Sequence, residues 1–255
     1  MIRDIEQIAR EAGEVVRNGF GKHLDIQFKT GESNLVTQID KASELLIVNF
    51  VKKNYSSHGI LAEEGSNVKG SSDYLWVIDP LDGTTNFAHG LPIFSVSIGV
   101  QKNNETIAGV IYDVMKDELY SAEKGSGAFL NGNKINVSKN SILTQSLLVT
   151  GFPYDINDNP EHAFEKFTAL TKASRGMRRL GSAAVDFCYV ARGIFDGFWE
   201  IHLHPWDMAA GMLIVEEAGG KVTDFESNPT TIYTKKVLAT NGLIHKDMIE
   251  IITNY

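Results

Sequence analysis

The sequence predicts an α+β protein, a layered sandwich of helices on mixed, partly antiparallel sheets. Three observations lead there. Apolar residues recur with the helical period in some segments and alternate or run continuously in others. The order of these segments is neither a βαβ repeat nor an all-β series. No linker, low-complexity tract or internal repeat divides the 255 residues. That length suits one large domain built from two intimate halves, roughly 1–145 and 146–255.

Ile5, Ile8, Ala9, Ala12, Val15, Val16 and Phe20 follow helical spacing and give a first helix. Lys29–Asn34 is a polar, Gly-containing loop, and Thr37-Gln-Ile-Asp40 opens a second helix that ends near Lys53. Gly59–Ala62 and Tyr74–Ile78 are short apolar runs, each leading into carboxylates. FSVSIGV, TIAGVIYDV and ELYSAEKG, between Phe94 and Val137, are β-rich segments, and LNGNK carries the Asn-Gly hairpin signal. SLLVTGF is a further strand, His162–Ala173 a helix, and MRRLGS a strand entering a turn. Ser182–Arg192 is helical and stops at Gly193; FDGFWEI is a strand. Pro205–Ala218 is a helix with Pro at its start and Gly219-Gly220 at its end. KVTDF and KVLAT close the sheets, and a helix occupies the last dozen residues.

Composition excludes several classes. No apolar run nears the roughly 18 residues of a membrane span, and the charged N-terminal segment has no signal-peptide core. The single Cys188 leaves no internal disulfide and no Cys-rich zinc site. Cytoplasmic residence is the expectation. At net charge −8, with no Lys/Arg run longer than two, direct nucleic-acid binding is not expected. An anionic ligand would need a local positive source, and metal ions are the obvious one.

Acidic residues stand in unusual places. Glu63-Glu64 follows GILA, Asp79 and Asp82 flank Pro80-Leu81, Asp207 lies in the first turn of HPWDMAAGM, and Asp40 in that of the second helix. Taken singly, each has a structural explanation: a solvated loop, a turn partner or a helix cap. Asp79 and Asp82 sit together at the C-terminal end of a strand, where crevices form. Clustered carboxylates repel unless cations lie between them. Hard oxygen donors point to Mg²⁺ or Mn²⁺; His89, His202 and His204 match no zinc spacing, and the EF-hand pattern is absent. Gly83-Thr84-Thr85 is small enough for backbone N–H groups to face a phosphate, and no Walker loop is present. Metals beside a phosphate cradle imply phosphoryl chemistry with metal-activated water.

LAEEG, WVIDPLDGTTNFAHGLPIFSVSIGV, LGSAAVDFCYVARGIFDGFWE and PWDMAAGMLIVEEAGG, in that order, resemble the inositol monophosphatase family of Mg²⁺-dependent, lithium-sensitive phosphatases. The resemblance covers nearly the whole chain. It implies an αβαβα sandwich, commonly a homodimer, that hydrolyses a phosphate monoester. It implies one Mg²⁺ on Glu63, Asp79 and the Leu81 carbonyl, a second among Asp79, Asp82 and Asp207, and a weaker third at Glu63. Phosphate is expected on the metals and on N–H groups of Gly83, Thr84 and Thr85, beside Asp82, with Thr84 and Asp40 passing on the proton of the attacking water. Gly181, Ser182, Ala183 and Glu200 would touch the alcohol of the substrate. At Asn34 the family usually carries Asp, so closure of the loop with Lys29, or the third metal, is expected to be weaker.

A myo-inositol monophosphate is the first-ranked substrate. Fructose 1,6-bisphosphate, 3′-phosphoadenosine 5′-phosphate and the 2′-phosphate of NADP stay open. Arg175, Arg178 and Arg179 would read a second anionic group or serve as solvated or dimer contacts. A different class of function, a regulatory protein of RNA metabolism on the same fold, is the rival.

Overall fold

The computed structural model describes residues 1–23, 26–28, 35–154 and 156–255. The expectations for Lys29 and Asn34 lie outside the described residues. Helix α1 (Ile2–Gly19) buries Ile5, Ile8, Ala9, Ala12 and Val16, the predicted stripe. A short hairpin of β1 (Ile26–Phe28) and β2 (Leu35–Thr37) leads into α2 (Gln38–Asn54). Next come β3 (Gly59–Ala62), β4 (Asn67–Val68), β5 (Tyr74–Asp82) and the single-turn α3 (Thr84–Ala88). An antiparallel meander follows: β6 (Ser95–Lys102), β7 (Glu105–Asp113), β8 (Glu118–Glu123), β9 (Gly127–Leu130) and β10 (Asn133–Ile135). The Asn-Gly signal is a two-residue hairpin: Asn131 and Gly132 have φ of 47° and 78°, and Leu130 pairs with Asn133.

The second half holds β11 (Leu147–Thr150), α4 (Ala163–Ala173), β12 (Gly176–Arg178), α5 (Ala183–Ala191), β13 (Gly197–Ile201), α6 (Pro205–Glu217), β14 (Lys221–Thr223), β15 (Lys236–Thr240) and α7 (His245–Ile252). Two sheets carry the fold. The eight-stranded sheet has the order β10-β9-β8-β7-β6-β5-β3-β4, the five-stranded one β12-β11-β13-β15-β14. Helices α1 and α2 cover one face of the larger sheet, α5 and α6 fill the space between the sheets, and α4 and α7 cover the outer face of the smaller. The layering is αβαβα, as the resemblance implied.

The middle layer explains two sequence features. All nine residues of α5 and eight consecutive residues of α6, Met208–Val215, are buried, because sheet lies on both sides of them. Close approach of α6 needs glycine: a Cβ on Gly99 would lie 2.6 Å from Ala209 Cβ, and one on Gly109 2.8 Å from Ala210 Cα. The start of α6 is thereby pressed against β6, and with it Asp207.

The apolar run Tyr74–Ile78 does not end the strand. β5 continues through Pro80 to Asp82, with a register shift between Asp79 and Asp82: Asp79 pairs with Ser97 and Asp82 with Ser95. Three steps on β5 thus match two on β6, a one-residue bulge at a proline that has no N–H to give. In a regular strand, residues three apart face opposite ways. The bulge brings Asp79 and Asp82 to the same side.

Candidate active site

β3 and β5 run parallel, with Ala62 opposite Ile78, so Glu63 and Asp79 leave the sheet side by side at its C-terminal edge. Glu63 N–H donates to Ile78 O at 3.1 Å. The carboxyls of Glu63 and Asp79 face one another at this edge. Burial first, then the charges of Glu63, Asp82 and Asp207, hold Asp79 well above the usual carboxylate range. Leu81 N–H donates to Asp79 Oδ1 at 3.0 Å and fixes that side chain across the bulge.

Asp207 arrives from the other half of the chain. His204 N–H donates to its Oδ2 at 2.7 Å, a first-turn contact at the N-terminus of α6. Burial, then Glu63 and Asp82, push it well up. Asp82 is held by Ser182 Oγ, by Ala184 N–H at 2.9 Å and by Ser95 Oγ at 3.4 Å, all on Oδ2. Burial nonetheless raises it to about 6 against those bonds. Carboxylate oxygens of Asp79, Asp82 and Asp207 all lie within 4.8 Å of one another.

These residues fit a divalent cation. Their donors are hard oxygens, and the chief influences on Asp79 are burial and three neighbouring carboxylates. Two oxygens on one Mg²⁺ stand no more than about 4.2 Å apart at bond lengths of about 2.1 Å. A 4.8 Å spread therefore needs only small side-chain adjustments. The Leu81 carbonyl accepts Thr84 Oγ1 at 3.0 Å and keeps a second lone pair.

Beside the cluster, Gly83 has φ 94° and ψ 35°, and α3 starts immediately after it. A Cβ there would lie 3.0 Å from Ile93 O and 3.2 Å from Gly181 O, so both backbone conformation and space require glycine. Helix geometry leaves the first N–H groups of α3 without an intrahelical acceptor. Thr84 is buried and its Oγ1 lies 2.9 Å from Asp40 Oδ1; Thr85 is exposed. Asp40 accepts from Thr37 N–H at 2.9 Å and Thr37 Oγ1 at 2.5 Å on its other oxygen. Its capping box and its contact with the site are thus simultaneous. Burial raises Asp40, and these bonds oppose the rise. Ser182 caps α5 through Val185 N–H at 3.4 Å. Glu200, on β13, is raised to about 8 by burial and then by the Asp82 charge, and Arg179 and the Gly151 backbone oppose this.

The whole chain, residues 1–255, matches the sequence profile described as the inositol monophosphatase family. The chain belongs to that family. Phosphatase IMPL1 of Arabidopsis thaliana chloroplasts is 48% identical over 98% of this chain and 69% of its own length. An inositol-1-monophosphatase of Synechocystis is 43% identical over 93% of this chain and 83% of its own. Relatives at 42% and 39% identity are a Nus factor SuhB of Pasteurella multocida, with 94% of this chain and 91% of its own covered, and a fructose-1,6-bisphosphatase/inositol-1-monophosphatase of Thermotoga maritima, with 96% and 93% covered. The crystal structure of the suhB protein of Bartonella henselae superposes with TM-score 0.94 at 37% identity, covering 98% of this chain and 97% of that one. The inositol monophosphatase family is a metal-dependent phosphatase family.

Asp40, Glu63, Asp79, Leu81, Asp82, Gly83, Thr84, Ser182 and Asp207 are drawn together by the contacts above, with Ala183 between Ser182 and Ala184, both of which bond Asp82. Gly181 backs onto Gly83, and Glu200 faces the cluster from the second sheet. Arg179 stacks on Phe152, 4.3 Å from guanidinium carbon to ring centre. Arg175 and Arg178 line a separate surface cavity of about 680 Å³ with Ser138, Lys139 and Asn140.

Sequence reasoning missed four polar residues. Asn86 Nδ2 donates to Ile93 O at 2.8 Å and Leu180 O at 2.7 Å, clamping the Gly181 turn to α3. Asp186 is buried with Oδ1 unpartnered, and burial, then Glu200 and Asp82, hold it well above the usual range. Neither carries a sequence signal beyond being polar in a helix. Ser43 and Glu44 do carry one: with Asp40 they occupy the buried stripe of α2 that continues as Ile47, Val48 and Val51. Polar residues on a core stripe need buried partners.

Proposed function

We propose that the chain is a Mg²⁺-dependent phosphomonoesterase that hydrolyses myo-inositol monophosphate, with Mn²⁺ able to substitute. One observation carries this reading: carboxylates of Asp79, Asp82 and Asp207, from both halves of the chain, converge beside the hydrogen-bonded Thr84–Asp40 pair. Divalent cations, when bound, neutralise phosphate charge and lower the pKa of a coordinated water. Glu63, Asp79 and the Leu81 carbonyl would hold one ion, and Asp79, Asp82 and Asp207 a second; a weaker third would rest on Glu63.

The remaining steps belong to side chains and backbone. N–H groups of Gly83, Thr84 and Thr85 orient the phosphate. Thr84 Oγ1 accepts the proton of the attacking water and passes its own to Asp40 Oδ1, a contact of 2.9 Å. Water oxygen bonds to phosphorus and the ester P–O bond breaks. The leaving alkoxide takes a proton from solvent water, and Asp40 returns the proton it received to solvent, so no net proton stays on the protein. Gly181, Ser182, Ala183 and Glu200 bound the space for that alcohol. Glu200, when protonated, would donate a hydrogen bond to a hydroxyl of that alcohol.

Phosphate release with Mg²⁺ tests this across inositol monophosphates, fructose 1,6-bisphosphate, 3′-phosphoadenosine 5′-phosphate and NADP. The highest kcat/KM is expected for an inositol monophosphate. No release from any of them would overturn the phosphatase reading, and a clear preference for another would reassign the substrate. A homodimer is expected by sedimentation.

The relative named Nus factor SuhB favours a second, regulatory role on the same fold. Association with transcription factors that survives Asp79→Asn would support that role beside catalysis.

A further inference from the structure

The face of α2 that meets the site carries three residues in one helical turn, at i, i+3 and i+4. Asp40, Ser43 and Glu44 are 0%, 0% and 4% exposed, and each reaches a different segment of the site. Asp40 bonds Thr84 at the start of α3. Ser43 Oγ donates to Pro80 O at 2.9 Å, inside the bulge that turns Asp79 and Asp82 to one side. Glu44 spans the turn after β3: its Oε2 accepts from Glu64 N–H at 2.7 Å and its Oε1 from Ser66 N–H at 3.1 Å. That turn is closed by Ala62 N–H to Ser66 O at 3.0 Å, and Glu63, half-buried, lies within it beside Asp79.

We propose that Glu44, with Ser43, is a positioning residue that sets the divalent-cation affinity of the site by fixing the turn that presents Glu63 and the carbonyl bulge at Pro80. The proposal rests on the reading of Glu63 as a cation ligand. A carboxylate accepting two backbone N–H groups holds both ends of a turn with one rigid fork. Glu63 is free to rotate only about its own side-chain bonds when its backbone is pinned on both flanks. Loss of the fork lets the turn move, and a ligand displaced by even half an ångström loses affinity, as outer-shell partners of metal ligands commonly show.

Glutamine at position 44 is the sharp test. Its amide retains one acceptor oxygen but sets an NH₂ against the second N–H. Mg²⁺ is titrated by calorimetry into metal-free wild type, Glu44→Gln, Glu63→Gln and the double variant, with the metal-free melting temperature recorded for each. Glu44→Gln is expected to weaken Mg²⁺ binding about tenfold or more. Glu63→Gln should weaken it at least as much, and the double variant should fall no more than about twofold below Glu63→Gln, because both act through one ligand. Ser43→Ala should weaken it about threefold, the size of one lost hydrogen bond.

If Glu63→Gln weakens Mg²⁺ and folded Glu44→Gln binds it normally, the positioning role is overturned. If neither changes Mg²⁺ affinity, Glu63 is not a ligand and the failure belongs to the functional reading. A lower metal-free melting temperature with unchanged Mg²⁺ affinity shows a structural role alone and also overturns the proposal. Should Glu44→Gln fail to fold, Glu44→Asp takes its place: it keeps the charge but is one methylene too short to hold both N–H groups, so unchanged Mg²⁺ binding there overturns the proposal equally.

Discussion

Asp196 and Asp79 are both buried acids, 7% and 2% exposed, and their surroundings are opposite. Asp196 precedes β13 and has a donor on each oxygen: Ser138 Oγ on one, Leu147 N–H at 2.9 Å on the other. It ties the strand β11 to the segment behind it. Among the described residues Asp79 has one N–H donor, Leu81, and otherwise meets acids: Glu63, Asp82 and Asp207. The first arrangement is self-sufficient, because donors from the same fold compensate the buried charge. The second is complete only with cations or protons. A buried acid that builds the fold and one that awaits a ligand differ in what faces them, not in burial.

The largest effects that sharpen this contrast fall on activity. Asp79→Asn or Asp82→Asn should lower turnover in Mg²⁺ by roughly a thousandfold, the scale of losing an electrostatic anchor of the transition state. The metal-free fold should survive, and Asp79→Asn should melt no lower than wild type, since a repelling charge has gone. Near-normal phosphate release by either variant would erase the distinction drawn from Asp79. Thr84→Ala comes next. It removes the donor to Asp40 and should cost about ten- to a hundredfold in rate, with Mg²⁺ affinity by calorimetry largely kept. A collapse of Mg²⁺ binding would move Thr84 from proton transfer to cation binding.

Asp196 should behave in the reverse way. Asp196→Asn forfeits a charge-assisted contact and mispairs one donor, at about 1–3 kcal/mol of unfolding free energy, read from urea denaturation. The kcat of the folded fraction should stay within about twofold of wild type. A large loss of kcat with little loss of stability would show that the two acids are not divided as their partners suggest.

Most of the layers were legible in the sequence, and the reasons are local. The α1 stripe, the Asn-Gly hairpin and the Pro-to-Gly span of α6 each specify their own geometry over a few residues. The bulge at Pro80 was not legible, because it exists only as a mismatch between β5 and β6, three steps against two. Its consequence, two acids three apart on one face, was the feature that looked odd in the sequence. Asp40 was legible as a cap, and that reading concealed the rest of the face: Ser43 and Glu44 follow it on the core stripe with no local reason to be polar. Asn86 and Asp186 could not be found, since their partners lie in segments distant along the chain.

Proton and metal should compete at the acid cluster, and pH separates them. Asp79, Asp82 and Asp207 are all raised in the folded state, Asp82 to about 6. Groups raised by folding contribute stability below their unfolded pKa, and lose it as pH climbs through the folded value. Metal-free protein should therefore melt lower at pH 8 than at pH 5. Mg²⁺ at about a hundred times its Kd should add about 2.7 kcal/mol at pH 8, or about 5–10 °C, and less than half that at pH 5. Equal shifts at both pH values would mean that the ion does not displace protons from these carboxyls.

Asp113 lies between the two extremes and gives the smallest effect. It is 2% exposed, and its partners are long: Lys116 Nζ at 3.6 Å, Lys116 N–H at 3.4 Å and Tyr189 Oη at 3.4 Å. Burial raises it despite the lysine, so its partners do not fully compensate its charge. By the same sign rule, its contribution is present below its unfolded pKa and declines as pH rises. Asp113→Asn, which resembles the protonated acid, should gain on wild type as pH rises from 4 to 7, by less than about 1 kcal/mol. Urea unfolding of both proteins at the two pH values reads that difference. A loss at pH 7 as large as that of Asp196→Asn would place Asp113 with the self-sufficient acids and make bond length a poor guide to compensation.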